Sequence, residues 1–313
     1  MKPLIKIKSI GIFLFFWMGS LTIHAQPLRM DKKLSAHLQQ ILKACKLDSV
    51  YKTDEAFTEQ VCIAVIPLVK RPVIGGVGMD RFIYPASMYK AYVAMEVEKQ
   101  IVEGKLQEFA PYVVQAPNDV DRSKEIDTDP RPLLHAGDTV NIRYLLDLMI
   151  TRSDNSAANC LIDIADRKNI NTTMQTLDWQ GSEVTRKFLS RKKEAPGYDT
   201  IRGTQTTAAH FTRFLYLIAR QQLINAAVSI RLQSLLCMQL DKSKLAPGFP
   251  ATATYCHKTG WWSHYTHDAG IVQDGRLRYI IAVFTPVKEH LLQGRLTLLA
   301  QKVHAYMQQR YGR

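Results

Sequence analysis

Cysteine is scarce in this chain and badly spaced for metal or redox work. Cys45, Cys62, Cys160, Cys237 and Cys256 are the full set, and none forms a Cys-x-x-Cys pair, which sets aside zinc ribbons and thioredoxin-like redox motifs. An odd number leaves at least one thiol unpaired within the chain. The others read as small buried apolar residues, with room for one disulfide that the spacing does not assign. Acidic residues are also few, 28 against 41 lysines and arginines, for a formal charge of +13. No RNA- or DNA-binding motif accompanies that excess, so no nucleic-acid partner is expected. Repeats, heptads and low-complexity tracts are missing. Gly75-Gly76-Val77-Gly78 is followed by no Gly-Lys-Ser/Thr, which removes phosphate binding as its role. Cys256, His257, His264 and His267 are zinc-ligand types. Neighbours on a strand point to opposite faces, however, so Cys256 and His257 cannot share one ion. Neither a metal nor a cofactor is expected.

Long apolar runs are confined to the start. Lys2, Lys6 and Lys8 precede an apolar stretch from Ile10 to Leu21, and Ile23-His24-Ala25 precedes Gln26. That charged, apolar, small-residue layout predicts a secretory signal peptide over residues 1–25, cleaved after Ala25. The stretch falls short of the roughly 20 residues a bilayer span needs. No cysteine follows the cleavage site to carry a lipid. The expectation is a periplasmic or secreted protein without stable membrane insertion, and a monomer. Loss of the three lysines takes the charge from +13 to +10. Such a surface attracts anionic wall polymers or carboxylate substrates, or simply keeps the chain soluble.

The remaining chain alternates in character. Leu34, Leu38, Ile41, Leu42 and Cys45 mark a first helix, Val61–Val69 a buried strand, and Pro72–Gly78 a return strand. From Ser87 to about Gln222 the pattern is largely helical, clearest at Ile142–Met149 and Ser156–Ala165. Strand character returns at Thr252–Thr259 and Asp268–Gln273, and Asp274-Gly275 predicts a hairpin turn into Leu277–Thr285. A last helix carries Leu292, Leu296, Leu299, Val303 and Tyr306 on one stripe. This order implies an α/β layer whose terminal helices cover one face of an antiparallel sheet, interrupted by an all-helical insertion. The expected boundaries are 26–85 with 210–313 for the α/β domain and 86–209 for the helical one.

Chemistry concentrates in three short motifs: Ser87-Met88-Tyr89-Lys90, Ser153-Asp154-Asn155 and Lys258-Thr259-Gly260. Ser-x-x-Lys also occurs at Ser49–Lys52 and Ser190–Lys193, but only Ser87 opens a helical pattern (Met88, Ala91, Tyr92, Met95, Val102). There the helix dipole favours developing negative charge and Lys90 lies one turn on, on the same face. A serine hydroxyl needs a base to take its proton. Lys90 serves only if neutral, which burial and a neighbouring cation such as Lys258 would favour. Ser153 can relay a proton, Asn155 can orient a carbonyl, and Lys258 with Thr259 fits a carboxylate. Gly260 keeps the strand edge open to substrate. Singly, each motif has a plainer reading, as a helix cap, a turn or a strand end. In this order they point to acyl transfer through a serine, at the junction of the two halves.

The motifs resemble those of the penicillin-recognising serine hydrolases, most closely the class A β-lactamases. Gly137-Asp138-Thr139-Val140-Asn141-Ile142, the run Leu145–Met149, Ser153–Asn159, Thr206-Thr207-Ala208 and Asp268–Val272 extend the likeness over nearly the whole mature chain. The resemblance implies an α+β sandwich with a five-stranded antiparallel sheet flanked by the terminal helices. It implies an acyl-enzyme on Ser87 and an oxyanion hole from the backbone N–H groups of Ser87 and Trp261. The implied substrates are a small-molecule β-lactam or a D-Ala-D-Ala peptide. One departure concerns deacylation. Class A enzymes carry a glutamate in a Glu-x-x-Leu-Asn setting to drive water onto the acyl-enzyme. Here the region reads Lys193-Glu194-Ala195-Pro196-Gly197-Tyr198. Glu194 is either that base or an exposed charge. Without a base, the chain would act as a D-alanyl-D-alanine peptidase or transpeptidase that releases penicillin slowly. Trp261-Trp262 is the second departure, because small residues are usual there. Two indoles would stack on substrate or narrow the cleft, or one would pack in the core.

Overall fold

The computed structural model describes residues 28–51, 60–188 and 202–312. Its main sheet is built from β1 (Arg29–Met30), β2 (Cys62–Pro67) and β3 (Val73–Val77), and from β6 (Thr254–Trp262), β7 (Tyr265–Asp274) and β8 (Leu277–Thr285). The strand order is β1-β3-β2-β8-β7-β6. All neighbours are antiparallel except β1, which lies parallel to β3 through Arg29↔Val73 and Met30↔Ile74. The sheet is therefore six-stranded and mixed, not five-stranded and antiparallel. A two-residue strand carries no alternation that a sequence could display, and its pairing is set by the neighbouring edge.

The near-continuous apolar runs follow from burial on both faces. Along β2, Cys62, Ala64 and Ile66 join one core while Ile63 and Val65 join the other; β8 repeats this with Ala282 and Phe284 against Ile281 and Val283. Helix α1 (Lys32–Ala44), capped by Asp31 accepting from Leu34 N at 3.0 Å, covers one face together with the C-terminal helix (Arg295–Tyr311). Gly75 belongs to this packing. A Cβ there would sit 2.4 Å from the Leu34 side chain, so this glycine permits close helix–strand approach.

The other face carries α2 (Lys90–Val102), α3 (Ile142–Thr151), α4 (Asn155–Ala165), α5 (Arg167–Thr176), α6 (Ala208–Ala219) and α7 (Ala226–Cys237). After β8 come the short α8 (Glu289–Leu292) and α9 (Arg295–Tyr311), the C-terminal helix already placed. The segment between α2 and α3 is not wholly helical. β4 (Pro111–Val113) pairs antiparallel with β5 (Thr139–Asn141), and Asn141 then caps α3 by accepting from Tyr144 N at 2.8 Å. A pair of three-residue strands again escapes period-based reading. α2 is buried nearly all round, as its apolar and aromatic faces demand. Tyr92 meets Trp179, Phe211 and Phe214 at centroid distances of 5.6, 5.5 and 5.3 Å, and its hydroxyl lies 2.9 Å from Thr206 Oγ1. Each such aromatic pair adds about 0.5–1.5 kcal/mol beyond area burial.

Cys237, at the end of α7, is disulfide-bonded to Cys256 on β6, while Cys45, Cys62 and Cys160 are buried thiols. Burial pushes Cys62 up to about 12 and Cys160 to about 11, leaving both inert. The crosslink ties the helical layer to the strand that carries Lys258, across a sequence separation of 19 residues. Replacing both cysteines by alanine is expected to lower the unfolding free energy by about 3 kcal/mol, the loop-closure value for this size. Urea denaturation of the oxidised protein and the double variant measures it; equal midpoints would contradict the structural role.

Candidate functional site

Ser87 lies in a 3-10 turn, Ala86–Tyr89, that leads into α2 at Lys90. The serine therefore precedes the α-helix rather than sitting in its first turn, and the preceding Ala86 is held at φ +45. A left-handed non-glycine residue costs on the order of 1–3 kcal/mol and persists only where its surroundings fix it. Two contacts do so. Ile83 pairs with Thr206 through both backbone hydrogen bonds, 2.9 and 3.1 Å. His267, fully buried on β7, accepts from Thr285 N at Nδ1 (3.0 Å), and its Nε2 donates to the Tyr84 carbonyl at 2.9 Å. That pattern requires the neutral imidazole, and burial pushes its pKa down to about 4. Gly260 completes the seat. A Cβ there would stand 2.9 Å from both Met88 Cγ and the Pro85 carbonyl oxygen, so only glycine lets β6 pass under the serine turn.

Behind Ser87 two lysines converge on one hydroxyl. Ser153 Oγ accepts from Lys90 Nζ at 3.2 Å and from Lys258 Nζ at 3.0 Å. Lys90 also donates to the Ser153 carbonyl and to Asn155 Oδ1, the latter at 2.8 Å; Lys258 also donates to the Thr259 carbonyl at 2.8 Å. Ser153 adopts φ +65, which turns its carbonyl toward Lys90. Both lysines are fully buried, and among the described residues neither has a carboxylate within ion-pair distance. Burial lowers the Lys90 pKa, with Glu125, Asp121 and Asp154 opposing. Burial, and then the Lys90 charge, lower Lys258 to about 7.

Asp154 caps α4 by accepting from Ala157 N at 2.7 Å and pairs with buried Arg152 at 2.8 Å. Arg152 in turn donates to the carbonyls of Arg131 and Pro132, both at 2.7 Å. The Ser153–Asn155 turn is thereby fastened from behind. Ser87, Ser153, Asn155 and Thr259 open onto a cleft of about 700 Å³, whose mouth holds Trp261 and Trp262, 47% and 42% exposed. Neither tryptophan is in the core. Trp262 meets Phe188 edge-on at 5.3 Å.

The family of the chain follows from its match to the beta-lactamase enzyme family over residues 49–307. The chain belongs to that family. No curated protein matches it. Among solved structures, PBP-A is 17% identical, covering 90% of this chain and 99% of that one at a TM-score of 0.74. A point mutant of PBP-A, solved as an acyl-enzyme complex with penicillin G, is 18% identical over 88% and 97% at 0.73. A variant of the class A β-lactamase of the last common ancestor of Gram-negative bacteria, bound to a transition-state analogue, is 22% identical over 88% and 100% at 0.72. These identities carry the β-lactamase/transpeptidase-like fold.

The three motifs of this β-lactamase-family chain thus meet at one place. Glu194 and the Ser190–Lys193 motif lie outside the described residues. Among the described residues no three His, Cys, Asp or Glu are grouped to hold a metal. Cys256 is crosslinked to α7, and His257 faces Asp268 at 2.8 Å from its Nδ1. Gly75 and Gly76 lie within β3. Two cleft residues escaped the sequence reading. Lys244 lines the cleft beside Thr259, held by Asp241 and by Glu289 at 3.3 Å, and Asp121 binds Asn155. Both sit in charged polar stretches that look like solvated loops, with no spacing to single them out.

Two ammonium groups on one buried hydroxyl repel, so the pair sheds a proton unusually early. NMR titration of the lysine side chains is expected to show one proton leaving the pair near pH 7, far below the ordinary lysine range. Titration of both groups only above about pH 10, as in free lysine, would contradict the burial argument.

Proposed function

We propose that this protein is a class A β-lactamase-like serine hydrolase that opens the β-lactam amide through an acyl-enzyme on Ser87. The observation that carries the reading is the Ser153 hydroxyl held between Lys90 and Lys258 behind the Ser87 turn. A substrate carboxylate docks at Thr259 and draws the remaining positive charge of the pair onto Lys258, which leaves Lys90 neutral. Lys90 then takes the Ser87 proton as Oγ attacks the carbonyl carbon. The oxyanion is received by the backbone N–H groups of Ser87 and Trp261. As the C–N bond breaks, the proton passes through Ser153 Oγ to the leaving nitrogen. Asn155 orients the substrate's side-chain carbonyl, and Gly260, rather than opening the strand edge to substrate, lets β6 lie close under the Ser87 turn. Deacylation falls to Glu194.

A second reading keeps Ser87 and changes the reaction to D-alanyl-D-alanine peptidase or transpeptidase chemistry. It is favoured by Gly197-Tyr198 standing where Leu-Asn accompanies the deacylating glutamate. Both readings place an exported monomer outside the cytoplasm after cleavage at Ala25, with domains divided at 85/86 and 209/210. No helix among the described residues is long and apolar enough to cross a membrane.

Intact-mass spectrometry of the protein mixed with benzylpenicillin tests the reading. A covalent adduct on Ser87 that turns over quickly is expected, with none in Ser87→Ala. Lys90→Met should slow acylation about 10²–10⁴-fold, the usual contribution of a general base. A persistent adduct would favour the peptidase reading, and no adduct with any penicillin or cephalosporin would overturn both.

A further inference from the structure

We propose that Asp121 is a positioning residue whose carboxylate fixes the direction of the Asn155 amide and so aims one Asn155 N–H into the cleft, toward the side-chain carbonyl of an acylamino substrate. The inference rests on the acyl-transfer reading above. Asp121 belongs to none of the three motifs. It lies in the polar segment between β4 and β5, yet it lines the same cleft as Ser87.

Asp121 Oδ1 accepts from Asn155 Nδ2 at 2.8 Å, and Oδ2 accepts from Asn155 N at 2.7 Å and Ser156 N at 3.4 Å. Ser156 closes the clamp from the other side, its buried Oγ accepting from Val120 N at 2.9 Å and Asp121 N at 3.1 Å. An ionised carboxylate only accepts, so the nitrogen end of the Asn155 amide must face Asp121. The oxygen end then faces Lys90 Nζ, 2.8 Å away. An asparagine free to rotate by half a turn would present its NH₂ to Lys90, donor against donor, and its oxygen to the substrate. With Asp121 in place one Nδ2 hydrogen is committed, and the second is left for a carbonyl in the cleft. The acidic side chain therefore acts through Asn155.

The test compares benzylpenicillin, which carries a side-chain amide carbonyl, with 6-aminopenicillanic acid, which has the same ring system and a free amine instead. In Asp121→Ala, Ser87 acylation by benzylpenicillin should slow about tenfold, the worth of one well-formed hydrogen bond, while acylation by 6-aminopenicillanic acid stays within about threefold. Asn155→Ala removes the carbonyl contact and the Oδ1 that accepts from Lys90 together, so it should slow both compounds, and the double variant should show no further loss. In Asp121→Ala, equal slowing of both compounds, or of neither, would overturn the proposal. If wild-type protein is acylated by neither compound, the acyl-transfer reading fails. The clamp is then judged by the Asn155 side-chain NH₂ signals in ¹⁵N spectra, assigned by their loss in Asn155→Ala. They should move in Asp121→Ala, and unchanged signals would overturn the positioning role. Should Asp121→Ala fail to fold, Asp121→Leu, which is close in size and has no acceptor, replaces it with the same expected outcomes.

Discussion

Two lysine side chains, both fully buried, share the hydroxyl of Ser153. Everything else near the cleft makes that arrangement tolerable. Among the described residues neither ammonium group has a carboxylate partner; burial lowers the pKa of both, and the Lys90 charge lowers Lys258 further, to about 7. Under the acyl-transfer reading proposed above, the neutral amine that this geometry favours is the base that takes the Ser87 proton.

The supporting structure explains how the pair is held. β6 supplies Lys258, and the Cys237–Cys256 crosslink fastens that strand to α7 two residues earlier. α2 supplies Lys90 from a helix buried on nearly every side, anchored by the Tyr92 aromatic cluster. The Ser153 turn is strained, at φ +65, and is pinned by the Arg152–Asp154 ion pair within a helix cap. Ala86 is strained too, and His267 holds the Tyr84 carbonyl just upstream of it. Strain therefore sits at Ser153 and at Ala86, the residue before Ser87, with rigidity behind them, as a preorganised site requires.

Much of this was legible in the sequence, for identifiable reasons. Long periodic elements such as α1, β2, β8 and α9 announce themselves because each buries a continuous apolar face. The triple of motifs was legible because the chemistry fixes residue types at short spacings. Short elements were not: β1 has two residues and β4 and β5 three each, too few to show a period. Asp121 and Lys244 were hidden for a related reason, since a buried or bridging charge in a polar loop reads like any solvated one. His257 and His267 look in sequence like metal-ligand types and nothing more. Structure gives each a separate role on opposite faces of the sheet, one against Asp268 and one behind the serine turn.

The most direct test of the shared-hydroxyl account is the pH dependence of Ser87 acylation by benzylpenicillin, followed as a second-order rate from pH 5 to 9. With the pair losing its first proton at about 7, the rate should fall about tenfold for each pH unit below that point and level off above it. A profile flat across the whole range would mean that Lys90 is not the base whose protonation the buried pair controls.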